Sequence, residues 1–528
     1  MPNNTEPSYD RVPYPRKSHP SAHIRRIEAT ATLFDMCPAP VTECRVLELG
    51  CAAGWNLIPQ AYDFPESEFI GVDASQRQLV DGRAMIDSLG LDNIDLRAAD
   101  ILNIDESWGK FDYILCHGVY SWVPAEVQQQ IMRICKENLA PEGVAYVSYN
   151  VLPGWNFRNT VRDMMLYHTA SFKDPQEQLS QARAVLTFMA DNCPQDTNYG
   201  NMLREELEMV QGAEDAYLFH DHLESDNHPI YFHEFCQRAE TAGLQYLGDS
   251  NFSDMLPQHL PEEAQAALQN ASLVKQEQYM DFLRNNSFRR TMLCHASQPL
   301  NRQLHANVLD RFHLMLDSHT QPDRLEFAIN STDRVRLTID KRSLETASPA
   351  SKAALHELVQ RWPHAVTLEE LCQAVERRLI EVGITEFARG EQLRAELAGG
   401  MMEAFSIGML ELFVHPPTYC ESRNDRPEVS PLVRHQAEQG HNVTNAFHRN
   451  IRLGTAAREL VYLLDGTRTC HQLADDLSNR LGPVEAQSPT SGNNHMATQV
   501  VIEGGRVTIE QIERVLSTLE SSALLLEA

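Results

Sequence analysis

The stretch Arg45-Val-Leu-Glu-Leu-Gly-Cys-Ala-Ala-Gly54 constrains the fold more than any other part of the chain. An apolar run, Val46 to Leu49, meets a turn of small residues, and a second apolar run, Glu68 to Val72, ends on a lone acid, Asp73. Strands buried in a parallel sheet read as continuous apolar runs, and small residues at a strand's exit let the backbone close on a bound nucleotide-like group. An acid at the end of the next strand takes that group's ribose hydroxyls. Asp73 follows Gly50 by 23 residues (73 − 50), near the spacing of about 20 that this role requires. The chain is therefore predicted to open with a Rossmann-like α/β unit: a doubly wound, mainly parallel sheet.

The segments that follow agree. Ile94 to Ala99 ends on Asp100-Ile101. Phe111 to Cys116 is followed by His117-Gly-Val-Tyr-Ser-Trp122. A helix is predicted over 125–139, a turn over 140–143 and a fifth strand over 144–149, followed by Asn150. Alternating strands and helices with polar strand ends describe a parallel sheet with one ligand edge. A turn of this kind also occurs at ordinary strand–turn–helix corners, but five concordant strands argue against that reading here. The turn also separates two cofactor classes. A dinucleotide fingerprint wants a further glycine two positions beyond Gly54, where Asn56 stands. The shorter acid-x-Gly-x-small-x-Gly form, Glu48 to Gly54, is the one that holds S-adenosylmethionine (SAM) in class I methyltransferases. Glu48, Gly50, Ala52 and Gly54 are then expected around the methionine part, Asp73 on the ribose, and Asp100 and Ile101 beside the adenine. Cys51, Asn56, Ala74 and Tyr14 complete the expected cofactor set, with His117 shared between cofactor and acceptor. His117, Tyr120, Trp122, Tyr149 and Asn150 are the candidate catalytic residues, since they follow strands four and five at the same edge. Each aromatic has core packing as its alternative.

Length and charge bound the remainder. The 528 residues suggest three or four domains. No apolar run reaches the roughly 18 residues of a membrane helix, and the N-terminus has no apolar signal core. The 11 cysteines lack a Cys-x-x-Cys pair and read as reduced thiols of a cytoplasmic protein. A formal net charge of −28 disfavours nucleic acid and favours cationic, lysine-bearing partners.

Four units are predicted: 1–165 with an N-terminal lid that includes Tyr9 to Pro15 and Ser18-His19-Pro20, a helical 166–310, then 311–420 and 421–528. In the second unit, Tyr217 to Phe235 is rich in His and aromatic residues; its spacing matches no zinc pattern, so it reads as a satisfied polar loop or a wall of the active site, with no metal. The last two units carry a weak repeat. Leu358, Trp362, Leu371 and Leu379 recur as Leu460, Leu464, Leu473 and Leu481, at an offset of 102 (460 − 358). Each copy reads as a winged helix, but Glu369-Glu370 and Asp475-Asp476 stand where phosphate contacts would be wanted, which favours protein binding or packing over DNA. Ser488 to Asn494 is loop-like.

Several strings narrow this further: His117-Gly-Val-Tyr-Ser-Trp122, Tyr149-Asn-Val-Leu-Pro-Gly-Trp155, His220-Asp-His-Leu-Glu224, Tyr231-Phe-His233 and Phe288-Arg-Arg-Thr291, with the Val-Pro-Tyr-Pro leader and the Asp465-Gly466-Thr467 turn. Together they resemble the bacterial class I methyltransferases that carry a methyltransferase regulatory domain, among them the rickettsial protein-lysine methyltransferases acting on outer membrane protein. The resemblance covers nearly the whole chain and is looser after about residue 310. It implies SAM as cofactor, a lysine amine as acceptor, a helical middle domain and C-terminal winged helices. The implied partner is a protein with an accessible lysine, of which an outer membrane protein precursor is one example; nucleic acid and membrane insertion are not expected, and a homodimer stays open. One departure stands out: many relatives have Gly-Cys-Gly-x-Gly in the turn, where this chain has Gly50-Cys51-Ala52-Ala53-Gly54, followed by the bulky Trp55. A small-molecule methyltransferase and a non-catalytic SAM-binding protein are the alternatives.

Overall fold

The computed structural model describes residues 11–257, 260–317, 328–331, 333–339, 342–418, 424–481 and 507–526; Tyr9 and Asp10 of the leader and the Ser488–Asn494 stretch lie outside them. Seven strands form one sheet: β1 (Arg45–Leu49), β2 (Glu68–Asp73), β3 (Ile94–Ala98), β4 (Phe111–Cys116), β5 (Leu139–Asn150), β6 (Leu244–Asp249) and β7 (Phe288–His295). Their order is β3-β2-β1-β4-β5-β7-β6. β1 to β5 run parallel, and β7 is antiparallel to both of its neighbours. The apolar runs are the buried centre of this sheet: Val46, Leu47, Leu49, Val72, Ile114 and Leu115 are fully covered. The strand order reverses between β1 and β4, and an open α/β sheet binds its ligand in the crevice at such a point.

Helices α1 (Ile24–Leu33), α2 (Ile58–Asp63), α3 (Gln76–Leu89) and α4 (Ala125–Glu137) belong to this sheet unit. Ser75 caps α3 by accepting from Gln78 N–H, and Gly90 ends it at φ 64. The turn expected over 140–143 is absorbed into β5, which starts at Leu139 because that side chain is fully buried opposite Phe111; the pairing slips between Phe111 and Tyr113 to accommodate it.

The interval that reads as helical supplies α5 (Trp155–Thr169), α6 (Pro175–Asn192) and α7 (Asn198–Gly212), packed around Val161, Leu186 and Leu203. It also supplies the two strands that complete the sheet, β6 between α8 (Phe232–Thr241) and α9 (Leu273–Arg284) and β7 after α9. Arg289 of β7 is buried and ion-paired to Glu277 at 2.6 Å and to Asp281 at 2.8 Å, which fastens α9 to the sheet edge.

The C-terminal repeat is visible as two helix triples. The first is α10 (Pro349–Arg361), α11 (Leu368–Glu381) and α12 (Glu391–Ser406), against a small sheet of β8 (His313–Leu316), β9 (Val366–Thr367) and β10 (Leu410–Phe413). In the second, α13 (Pro431–Gln439) and a hairpin of β11 (Asn442–Thr444) and β12 (Asn450–Arg452) precede α14 (Thr455–Leu463), α15 (Cys470–Leu481) and α16 (Ile509–Ser521). Leu358 and Leu460 are buried in the first helix of each triple, Leu371 and Leu473 in the second. Near the end of the chain, Leu525 forms a single antiparallel bridge with Val429. Among the described residues, no helix is long and apolar enough to cross a membrane.

Candidate active site

Hydrogen bonds as well as residue size build the turn after β1. The N–H groups of Gly50 and Cys51 both donate to the Val72 carbonyl, at 2.8 and 3.0 Å. Gly50 has φ 73, and a Cβ there would lie 2.4 Å from Val119 Cγ2, so only glycine fits. Ala52 takes φ 48, a left-handed conformation that costs an L-residue about 1–2 kcal/mol. Its N–H donates to Asp73 Oδ2 at 2.8 Å, and Ser75 N–H donates to Asp73 Oδ1 at 2.8 Å. These two donors fix the carboxylate at the end of β2, beside the turn.

Glu48, near the end of β1, is 3% exposed. Asn56 Nδ2 donates to its Oε1 at 2.7 Å, and its Oε2 has no hydrogen-bond partner. Burial pushes the carboxyl up to about 8; the Asn56 hydrogen bond opposes this and the charge of Asp73 adds to it. A buried carboxylate oxygen without a donor is suited to a ligand that brings a cation.

The leader runs as a strap across this turn. Tyr14 N–H donates to Gln78 Oε1 at 3.2 Å, Arg16 pairs with Asp81 at 2.7 Å, and His19 N–H donates to Asn56 Oδ1 at 2.9 Å. The His-rich segment holds the strap from the other side. His220 Nε2 donates to the Val12 carbonyl at 2.6 Å, and its ring lies 5.8 Å from that of Tyr14. Lys17 pairs with Glu214 at 3.4 Å. Strap, turn, Glu48 and His117 line one cleft.

His117 leaves the end of β4 and stacks on His19 at 3.8 Å. Its Nδ1 is 3.0 Å from the Tyr146 hydroxyl and 3.3 Å from Ser148 Oγ, which itself accepts from Gly118 N–H at 2.8 Å. Burial, helped by His19 and Arg290, holds the His117 imidazole well below its usual pKa; burial, with Lys17 and Arg290, pushes His19 down to about 4. Both rings are therefore neutral at neutral pH.

Of the residues singled out from the sequence, Tyr14, Glu48, Gly50, Cys51, Ala52, Asn56 and His117 line the cleft. Gly54 closes the turn, its N–H donating to the Cys51 carbonyl at 2.8 Å. Asp73 ends β2 and Ala74 follows it, as Asp100 and Ile101 follow β3, all outside the cleft lining; the Ala99 N–H donates to the Asp73 carbonyl at 3.1 Å and brings these two strand ends together. The bulky Trp55 is buried in the cleft wall.

Two expectations need correcting. Tyr120 and Tyr149, expected among the catalytic residues, are core residues at 0% and 1% exposure. Tyr149 stacks on Phe235 at 4.0 Å and its hydroxyl pairs with Thr291 Oγ1 at 3.0 Å; the Tyr120 hydroxyl accepts from Arg238 at 3.2 Å. The reason is the period of two along β5: Tyr146 and Ser148 meet His117, so Tyr149 points to the opposite face. Trp122 and Asn150 lie beside the end of β5, outside the cleft wall. Trp122 is half-buried, edge-on to Trp155 at 5.8 Å, and Asn150 Nδ2 donates to Asn227 Oδ1 at 2.9 Å. Sequence reading passed over Tyr146, Ser148 and His448 and saw His19 only as part of the lid. Alternation along β5 would have found the first two.

A turn of small residues after β1, an acid closing β2 and a buried carboxylate with one unsatisfied oxygen are the pattern of a class I SAM-dependent methyltransferase; the chain is an enzyme of that class. Comparison with known proteins places it more closely. Residues 41–213 match the family described as a methyltransferase domain, 214–295 the predicted methyltransferase regulatory domain, and 425–524 the PKMT C-terminal winged helix domain. An uncharacterized protein of Rickettsia prowazekii is 34% identical over 466 residues, 87% of this chain and 83% of that one. An uncharacterized protein of Synechocystis is 27% identical over 77% of this chain and 72% of its own length. Among solved structures, PKMT2 from Rickettsia typhi in complex with AdoHcy superposes with a TM-score of 0.85 at 30% identity, covering 97% of this chain and all of that one. The chain belongs to this family of bacterial methyltransferases with a regulatory domain and a C-terminal winged helix.

The residues present fit the cofactor. Glu48 offers the unsatisfied carboxylate oxygen that an α-ammonium requires, Gly50 keeps the backbone bare beside it, and Asp73 stands at the adjoining strand end.

Proposed function

We propose that this methyltransferase acts on the ε-amine of lysine in a protein. The whole-chain match to a solved PKMT, a protein-lysine methyltransferase, carries the reading, and the charge of the cleft supports it. Bound SAM supplies an electrophilic methyl group on a cationic sulfonium. A lysine ammonium is a second cation, and with a pKa near 10.4 only about 1 in 2,500 is neutral at pH 7. A site that receives both is helped by walls of low positive charge. His19 and His117 are held neutral by burial, Arg16 and Lys17 at the rim are paired with Asp81 and Glu214, and Arg290, whose charge reaches both histidines, lies over the Phe288 ring at 5.1 Å. The apolar surroundings of His117, including Phe288 at 6.1 Å, favour the uncharged amine.

The hydrogen bonds around His117 set its part. The Tyr146 hydroxyl, 3.0 Å from Nδ1, is assigned as its donor, with Ser148 Oγ accepting from Gly118 and 3.3 Å from the same nitrogen. Nδ1 accepts, and Nε2 carries the proton. In this arrangement His117 orients the acceptor as a hydrogen-bond donor and is not the base; water takes the amine's proton. The strap excludes bulk solvent and holds the reacting groups in line.

The test is incubation with methyl-tritiated SAM, offering lysine-rich polypeptides and small amines in parallel. Label on lysine side chains, located by mass spectrometry of the polypeptide, is expected. Label confined to small molecules would overturn the reading in favour of a biosynthetic methyltransferase.

A further inference from the structure

The Asn56 that holds Glu48 is itself held from the far end of the chain. Its Oδ1 accepts from His19 N–H of the strap and from His448 Nε2, each at 2.9 Å. These two donors turn the amide so that Nδ2 faces Glu48 at 2.7 Å. His448 belongs to the tip of the β11–β12 hairpin, 392 positions from Asn56. It is 2% exposed, its ring lies 4.7 Å from that of His23, and burial pushes it down to about 3, so it meets Asn56 as a neutral donor.

The hairpin tip is built to hold this side chain in place. Asn445 Oδ1 accepts from the N–H groups of Phe447 and Arg449 at 3.0 and 2.9 Å, and Asn445 Nδ2 donates to the Ser522 carbonyl at 2.9 Å. His448 takes φ 58, a conformation a non-glycine residue keeps only when its surroundings demand it. The next two residues grip other parts of the molecule. Arg449 pairs with Asp317 and Glu411 of the preceding unit, both at 2.8 Å. Asn450 forms two hydrogen bonds with the Ser18 backbone, from its N–H at 2.9 Å and to its carbonyl at 2.7 Å.

We propose that this hairpin is part of the cofactor site: His448 is a positioning residue that fixes Asn56, and through it Glu48, toward the ammonium end of the cofactor, while Asn450 holds the strap over the cleft. Cofactor affinity is then set in part by the C-terminal unit. The inference rests on the cofactor site alone and not on the identity of the acceptor.

Calorimetric titration of the full chain with S-adenosylhomocysteine tests it, with thermal melting to show that each variant is folded. A buried hydrogen bond of this kind corresponds to about a tenfold change in Kd. His448→Ala is expected to weaken binding by about tenfold and to raise KM for SAM, leaving kcat at saturation unchanged. His448→Gln, which restores an N–H donor, recovers binding to within about threefold. Glu459→Ala, in the same unit but paired with Arg458 and Arg480, binds as wild type. A folded His448→Ala with wild-type Kd, or a Gln variant as weak as Ala, overturns the proposal. Should His448→Ala not fold, Asn450→Ala decides: weaker binding supports the proposal, and wild-type binding overturns it. None of the calorimetric outcomes bears on the lysine reading, since no acceptor is present in the titration.

Discussion

Glu48→Gln isolates what the buried carboxylate does. The substitution keeps shape and an acceptor for Asn56 but removes the ionisable group. In the free protein the carboxyl is raised from 4.5 to about 8. A raised acid contributes stability that is full below its unfolded value and is lost as pH climbs through its folded value. At 1.36 kcal/mol per unit, the climb from 4.5 to about 8 corresponds to about 5 kcal/mol. The wild type should therefore lose stability toward pH 8 that Glu48→Gln does not lose, and the two should converge near pH 5. Binding should show the opposite preference, because the cofactor's ammonium wants the ionised form. With a folded value of about 8, the ionised fraction rises about tenfold from pH 6 to 7, and the affinity for S-adenosylhomocysteine rises with it. Close to one proton leaves the protein for each ligand bound at pH 7. Calorimetry in buffers of different ionisation enthalpy measures that proton directly. In Glu48→Gln the proton release and the pH dependence vanish, and affinity at pH 7 falls by about tenfold or more. Zero proton release in the wild type, or equal affinity in the variant, would refute the assignment.

Other outcomes are equally specific. Ala52→Gly relieves the left-handed strain at φ 48 and should stabilise the free protein by about 1 kcal/mol in chemical denaturation, with cofactor affinity kept. Tyr149→Phe removes a core hydroxyl bonded to Thr291 and should cost about 1 kcal/mol of stability with kcat unchanged; a large fall in kcat without loss of stability would return Tyr149 to the active site. Arg289→Met strands Glu277 and Asp281 in the interior and should cost about 3–5 kcal/mol, read from the melting transition. His448, lowered from 6.5 to about 3, contributes stability above pH 6.5 that is lost as pH falls; by pH 5 the loss is about 2 kcal/mol (1.36 for each of 1.5 units), which His448→Gln should not show in melting at pH 5 against pH 7.

The parts of this molecule legible in its sequence are those made by neighbours in the chain. The turn, its acid 23 residues on, and the alternation of strands and helices are local patterns, and they recovered the sheet and most of the cleft wall. The strands over 244–249 and 288–295 were harder to place, because their partners are set by topology: β7 lies between β5 and β6 although 137 residues separate the ends of β5 and β7 (288 − 151). Tyr149 stands at the ligand end of β5 yet faces the core, because a single step along the strand divides the site from the core.

His448 marks a different limit. Nothing near it in the sequence resembles a cofactor motif, and its role exists only because the last unit folds back onto the first. That return contact also bears on why the acidic copies of a winged helix are here at all. The tip of the β11–β12 hairpin is spent inward, His448 on Asn56, Arg449 on Asp317 and Glu411, and Asn450 on Ser18. A surface committed in this way is not free to grip an external ligand, so its three consecutive polar side chains are better understood as joints between units. The strap they close is held at its other end by His220 from the regulatory region. The cleft is thus covered by one short segment of the leader, and that segment is fastened by two units. Loosening either fastening should raise the off-rate of the cofactor, and loosening both should not add further once the strap is free; stopped-flow displacement of a fluorescent cofactor analogue in His220→Ala, Asn450→Ala and the double variant measures this, and additive rates in the double variant would show that the strap does not move as one piece.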